Sequence, residues 1–238
     1  MLSPKGRVVM VSGANRGIGR AVAEHLRALG YRLSLGARKP EDLADLATGR
    51  AAKRVLVARY DARQPRAATR WVGETIARFG RLDGLVNNAG IFRAVDIETG
   101  DDADLDALWE VNAKAPFRLM RAAFPHLKAA GSGRIVNIAS LSGKRVKSAR
   151  SAGYAMSKFA LVALTNAARF SGWPHGIRTS AVCPGFVATD MARRLAGLPD
   201  SAMTQPADIA RLVALLLALP NSASVPELIV NHELEPGF

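Results

Sequence analysis

Tyr154 and Lys158 stand four positions apart in Tyr154-Ala-Met-Ser-Lys158, with Ser140 upstream and Asn112 further back. On a helix, residues i and i+4 lie one above the other on one face. A tyrosine and a lysine so placed share one electrostatic environment. The ammonium favours the phenolate, bringing the phenol from its ordinary pKa of about 10 toward a range useful for proton transfer. A hydroxyl such as Ser140 can then hydrogen-bond a substrate oxygen beside the tyrosine. A Tyr-x-x-x-Lys alone is often a surface contact, so its weight depends on the elements around it.

Those elements begin at the N-terminus. Arg7-Val8-Val9-Met10-Val11 is a short apolar run of strand character, followed by Ser12-Gly13-Ala14-Asn15-Arg16-Gly17-Ile18-Gly19. Ala21 to Leu29 then carries apolar residues at helical spacing and stops at Gly30, a C-cap signal. Strand, glycine-rich turn and helix in that order make a phosphate site. Glycines admit a pyrophosphate close to the backbone, and the helix start offers free N–H groups and a favourable dipole. The bland alternative, a tight turn without ligand, leaves three glycines in this context without a purpose.

Together these residues resemble the short-chain dehydrogenase/reductase family in its short single-domain branch. Gly13, Gly17 and Gly19 match the family's TGxxxGxG spacing, with Ser12 in place of the threonine. Asn87-Asn88-Ala89-Gly90 matches its NNAG. Asn112, Ser140, Tyr154 and Lys158 match its Asn-Ser-Tyr-Lys set, and Pro184-Gly185 with Thr189 its PGxxxT segment. The resemblance runs over roughly residues 5 to 230. It implies an α/β, Rossmann-type doubly wound parallel sheet with helices on both faces.

The rest of the chain agrees. Strand-like runs at Arg32 to Leu35, Arg54 to Ala58, Leu82 to Val86, Arg134 to Ile138, Arg178 to Val182 and Leu228 to Val230 alternate with helical ones. With no linker or repeat, residues 1–238 read as one NAD(P)-binding domain, with substrate loops at about 141–153 and 186–205. The apolar stretch Leu212 to Leu219 is far too short to span a bilayer. Met1 to Lys5 lacks an apolar signal, and the single cysteine, Cys183, suits a reducing compartment, so a cytoplasmic protein without membrane attachment is expected. Cys183 reads as packing. His25, His126, His175 and His232 are scattered and form no ligand pair, so no metal is indicated. The net charge of +13 comes mostly from dispersed arginines without a nucleic-acid motif. No nucleic-acid partner is expected from it.

Cofactor choice rests on two positions. NAD would call for an acid after the second strand to take the ribose 2′-hydroxyl. That strand instead ends Leu35-Gly36-Ala37-Arg38-Lys39, ahead of a helix expected near Pro40. Arg38, and Arg16 within the glycine turn, offer guanidinium forks to a 2′-phosphate. The expectation is NADP(H) rather than NAD(H). By the resemblance, Asp61 meets the adenine, Asn88 and Ala89 lie under the adenosine ribose mainly through backbone, and Gly90 belongs to the same cofactor-binding set. Val187 and Thr189 meet the carboxamide, with Asn15, Ile18, Pro184 and Gly185 lining the same cofactor path.

The resemblance also assigns catalytic roles. Tyr154 donates the proton, Ser140 holds the substrate oxygen, Lys158 tunes Tyr154 and holds the ribose, and Asn112 holds a water beside Lys158. The leading expectation is a carbonyl reductase, reversible as an alcohol dehydrogenase, on a small molecule. A 3-oxoacyl-thioester reductase and a non-catalytic nucleotide sensor are the alternatives. Ser140 and Tyr154 lie one residue further apart than in many relatives, which makes Ser142 a competing hydroxyl. The substrate pocket should draw on Ile91, Phe92, Arg93 and Phe186. Lys144, Arg145, Lys147 and Arg150 crowd the first substrate loop with no acid among them. With Arg193 and Arg194, they raise the prospect of an anionic substrate group. The C-terminal stretch Val225 to Phe238 departs from the glycine-rich end of many relatives, which bears on homodimer against homotetramer. A dimer would form through the helices near 101–128 and 152–170.

Overall fold

Val8–Ser12 form strand β1, buried throughout. Its side chains alternate between two apolar layers: Val9 and Val11 enter one cluster, Val8 and Met10 the other. Burial on both faces is what a parallel strand in the middle of a sheet requires. In the computed structural model, whose described residues are 1–235, six strands join it. They are β2 (Arg32–Ala37), β3 (Val55–Arg59), β4 (Gly84–Asn87), β5 (Arg134–Ile138), β6 (Arg178–Pro184) and β7 (Glu227–Val230). All neighbours pair parallel, in the order β3-β2-β1-β4-β5-β6-β7. Pro236, Gly237 and Phe238 lie outside the described residues.

Helices α1 (Gly17–Ala28) and α7 (Pro206–Ala218) cover one face, with Val22, Leu26, Ile209 and Val213 packed on the Val9 side. Helices α2 (Ala67–Phe79), α4 (Ala115–Ala129) and α5 (Ala152–Gly172) cover the other through Trp71, Leu119, Met120, Leu127 and Ala168. Gly36 in β2 admits the Trp71 ring, whose Nε1 donates to Ser34 at 2.8 Å; a Cβ at Gly36 would sit 2.6 Å from that ring. This is the expected doubly wound architecture.

Two local expectations need correction. The helix near Pro40 is a 3₁₀ run, Pro40–Ala47. Its buried residues are Leu43 and Leu46, three apart, and that spacing eclipses in a three-residue turn. The helix near 101–128 is interrupted: α3 (Asp102–Trp109) passes through a π-helical turn, Glu110–Lys114, before α4. α6 (Asp190–Ala196) is a short element beyond β6.

From β1 the chain proceeds to β2 and β3 on one side; β4 resumes on the other. At that switch the helices that follow β1 and β4 go to opposite faces of the sheet, and a crevice opens where open α/β sheets bind ligands.

Candidate active site

The loop leaving β1 is shaped by backbone rather than side chains. Gly13 and Gly17 sit at φ +64° and +54°, in the left-handed region that favours glycine. A side chain at Gly19 would collide with the Gly13 carbonyl. The loop after β4 is stapled onto this turn. Ser12 Oγ accepts from the Asn88 and Ala89 amides at 3.0 and 3.1 Å, and Asn88 Nδ2 donates to the Ser12 and Gly13 carbonyls at 3.0 Å each. Ser12 thus does structural work where the family pattern has threonine. Asn88 acts through its side chain on the turn, beyond the backbone role expected of it. α1 starts with no capping side chain and no acid in its first turn, which leaves its first amides for an anion. A glycine cradle with open amides fits a pyrophosphate.

One cleft of about 680 Å³ gathers nearly all the expected residues, from Gly13, Asn15, Arg16, Gly17 and Ile18 through Arg38, Asp61 and Asn88–Gly90 to Pro184, Gly185, Val187 and Thr189. Gly19 and Asn112 are not among its lining residues. Arg38 is exposed at the end of β2 and has no hydrogen bond or ion pair among the described residues. Arg16 reaches Asp190 at 3.5 Å across the mouth, an exposed contact of little strength. Asp61 is engaged by Arg63 at 2.9 Å, and Asn15 Nδ2 donates to Asp42 at 3.0 Å. Thr189 Oγ1 caps α6, accepting from the Ala192 amide at 3.4 Å.

Ser140 leaves β5 in extended conformation, and its Oγ accepts from the Ser142 amide at 3.0 Å. Its hydroxyl also eases ionisation of the Tyr154 phenol, but burial dominates and the phenol is pushed up to about 12. Lys158 Nζ donates to the Ile138 carbonyl at 2.9 Å and lies 5.7 Å from the Tyr154 ring centroid. Burial brings Lys158 down to about 8. The expectation of a phenol brought below its ordinary range is therefore corrected. Both groups are desolvated together, and for the phenol burial outweighs the help it receives, of which the Ser140 hydroxyl supplies part. Phe92 packs at 5.2 Å from the Tyr154 ring.

Asn112 lies in the π turn, buried, with its amide spent on protein. Oδ1 accepts from the Ile91 amide at 2.9 Å; Nδ2 donates to the Ile91 carbonyl and to Ser157, both at 3.0 Å. The geometry is that of a brace between the β4 loop and α5. A Cβ on Gly90 would stand 3.4 Å from Asn112 Oδ1 and 3.6 Å from Lys158 Nζ, so both flank the same glycine.

The stretch 141–153 takes up its extra residue in two 3₁₀ turns, Leu141–Gly143 and Ala149–Ser151. Ser142 lines the cleft as well, but Ser140 is the hydroxyl on Tyr154. Three of the four crowded cations are ion-paired, and Arg150 has no ion pair among the described residues. Lys144 pairs with Glu227 at 2.6 Å, Arg145 Nε donates to Glu235 at 2.9 Å, and Lys147 meets Glu233 and Glu235 at 3.0 and 2.7 Å. Arg193 is held by Asp190 and Asp200. The acids missing from the loop come from the segment beyond β6, so the basis for an anionic substrate is largely removed. That segment also brings His232, Glu233 and Glu235 to the cleft, none of them singled out from sequence. The available signal was the sheet edge: β7 ends beside Pro184, which carries the chain after Val230 over Phe186.

A family model described as short chain dehydrogenase matches residues 7–197. Agropine synthesis reductase of Rhizobium rhizogenes is 43% identical over 220 residues, covering 92% of this chain but 51% of that protein. The chain thus spans about half the length of that relative. Short-chain reductase protein NovJ of Streptomyces niveus is 37% identical over 84% of this chain and 78% of its own. A metagenomic short-chain oxidoreductase in complex with NADP superposes with TM-score 0.82 at 34% identity, covering 98% of this chain and 100% of that one. An alcohol dehydrogenase from the archaeon Thermococcus sibiricus, complexed with 5-hydroxy-NADP, gives TM-score 0.88 at 28% identity over 98% and 99%. A match of that extent, on this sheet order, makes the chain a member of the short-chain dehydrogenase/reductase family.

Proposed function

We propose that the chain reduces ketones or aldehydes with NADPH and runs in reverse as an alcohol dehydrogenase. One observation carries the reading: Ser140, Tyr154 and Lys158 meet in the same cleft that presents the glycine cradle and an unpaired Arg38. Arg38, with no acid at the end of β2, supports NADPH, as do the solved relatives that bind NADP and 5-hydroxy-NADP.

The dinucleotide, when bound, supplies the hydride to the carbonyl carbon. Ser140 donates to the carbonyl oxygen as negative charge builds there. Tyr154 then gives its phenolic proton to that oxygen, completing the alcohol. A phenol held near 12 still serves, because an alkoxide is a far stronger base than a phenolate. Lys158, in its protonated form, stabilises the phenolate left behind until a solvent proton restores it. Arg38 and the open amides of α1 hold the anionic end, with Arg16 released from Asp190 to join them.

A thioester carrier would bring an anionic phosphopantetheine group, and the pairing of Lys144, Arg145 and Lys147 leaves few free cations in the 141–153 loop to meet it. A sensor without turnover has no use for a serine hydroxyl set to ease ionisation of Tyr154. The test is steady-state oxidation of NADPH and NADH, in parallel, across a panel of neutral carbonyl compounds. Turnover with NADPH preferred is expected. Binding of NADPH without turnover of any carbonyl overturns the reading in favour of a sensor.

A further inference from the structure

Beyond β7 the chain turns over the cleft and sets His232 in its wall, with a side chain 4% exposed. Its Nδ1 accepts from the Phe186 backbone amide at 3.3 Å. An acceptor Nδ1 defines the neutral imidazole as the Nε2–H tautomer. That Nε2 is buried and has no hydrogen-bond partner. Glu233 Oε1 stands 3.8 Å away, beyond hydrogen-bond reach, and is itself held by Lys147. The ring is firmly seated, edge-on to Phe186 at 5.4 Å between centroids. A Cβ at Gly185 would stand 2.5 Å from His232 Nδ1 and 3.2 Å from Leu141 Cδ1. Leu141 follows Ser140 directly, so His232 adjoins the reacting end of the cleft. A buried donor without an acceptor calls for an explanation, and in a substrate wall the explanation is a substrate atom.

We infer that His232, with Glu233 beside it, is a specificity-determining residue that binds a hydroxyl of the substrate away from the reacting carbonyl. Nε2 has no surface open to solvent, so Glu233, half-exposed and 3.8 Å away, moves aside to admit a hydroxyl oxygen, which accepts from Nε2–H and donates its proton to the carboxylate. A methyl group leaves the N–H unmet. A carboxylate brings no proton for Glu233 and adds charge to a corner that already holds Glu233 and Glu235. The inference rests on the carbonyl-reductase reading.

The test compares three ketones of matched chain that end in a hydroxyl, a methyl or a carboxylate: 5-hydroxy-2-pentanone, 2-pentanone and levulinate. The wild type is expected to favour the hydroxyketone by roughly tenfold in kcat/KM, mainly through KM, the scale of one hydrogen bond. His232→Asn keeps an acceptor for the Phe186 amide but places no N–H at the Nε2 position. It should lose that advantage, with a clearly smaller change on 2-pentanone. His232→Gln returns an N–H to that end and should recover part of the preference. Equal losses on all three ketones in His232→Asn, a preference for levulinate, or no preference in the wild type overturns the inference and leaves the reductase reading intact. If no ketone turns over, the reductase reading fails, and ¹⁵N NMR of the His232 ring with 1,4-pentanediol decides alone. A shifted Nε2 resonance supports hydroxyl binding and an unmoved one overturns it.

Discussion

Lys158 carries its charge on a short leash. Burial holds its ammonium down to about 8, while Tyr154 is pushed up to about 12. As pH rises through about 8, Lys158 loses the proton that stabilises the phenolate, whereas Tyr154 keeps its own. Reductive kcat/KM should therefore fall on the alkaline side with an apparent pKa near 8, a limb absent from Lys158→Met on its lower plateau. A wild-type profile that stays flat from about pH 6 to pH 10 would contradict this. At the other end of the cleft, Arg38→Asp should weaken NADPH binding by roughly ten- to hundredfold, the loss of one charge-assisted contact of about 1.5–3 kcal/mol. Cofactor titration by fluorescence checks it, and equal effects on NADPH and NADH would remove Arg38 from the phosphate site. At this scale the residue types and their spacing were legible in the sequence; their charge states were not. Proton affinity follows from how deeply the Tyr154–Lys158 pair is buried and from the bond to Ile138, and neither is written in the helical spacing.

Elements hold these residues by contacts between distant parts of the chain. The π turn aims the Asn112 amide at Ile91 and Ser157, fixing the loop after β4 against α5. β7 and the segment after it form a strap over the 141–153 loop through Glu227, Glu233 and Glu235, and Glu235 is 2% exposed. Arg145 holds the Glu235 carboxyl below the usual carboxylate range, with Lys147 adding to it. A folded-state pKa below the unfolded one stabilises above the unfolded value of about 4.3 and is lost as pH falls through the folded one. Glu235→Gln should therefore melt lower than wild type at neutral pH, with the two melting temperatures converging in acid. A gap that persists unchanged however far the pH falls below that unfolded value would show that the carboxylate charge is not what holds the segment. The strands and most helices were readable from apolar runs and glycine signals. The strap was not, because its partners lie more than eighty residues apart and only the β6–β7 register brings them together. The 3₁₀ run at Pro40–Ala47 was missed for a local reason, since four apolar positions in eight residues do not distinguish a three-residue turn from an α-helix.

At the scale of the molecule, a parallel sheet covered on both faces followed from the alternation of strand and helix, whereas its strand order, and with it the crevice at the switch point, came from the structure. Charge is where composition misleads. The net charge of +13 suggests a strong field, yet most cations around the 141–153 loop are paired within the chain. Steering by exposed charge is screened beyond a Debye length of about 8 Å at physiological salt. Neutral and anionic carbonyl compounds should accordingly show parallel, shallow declines of kcat/KM with salt; a steep decline for anions alone would mean that the ion pairs open in solution. α4 and α5 expose Phe117, Phe159 and Phe170, the surface on which we propose that a second copy packs. The central claim, a cofactor-dependent carbonyl reduction in which Tyr154 supplies the proton, is tested most directly by NADPH oxidation on the carbonyl panel in wild type and Tyr154→Phe. The account predicts that the variant keeps its NADPH affinity and loses about a hundredfold or more in kcat, the scale of general acid catalysis. Near-normal turnover in Tyr154→Phe would contradict it.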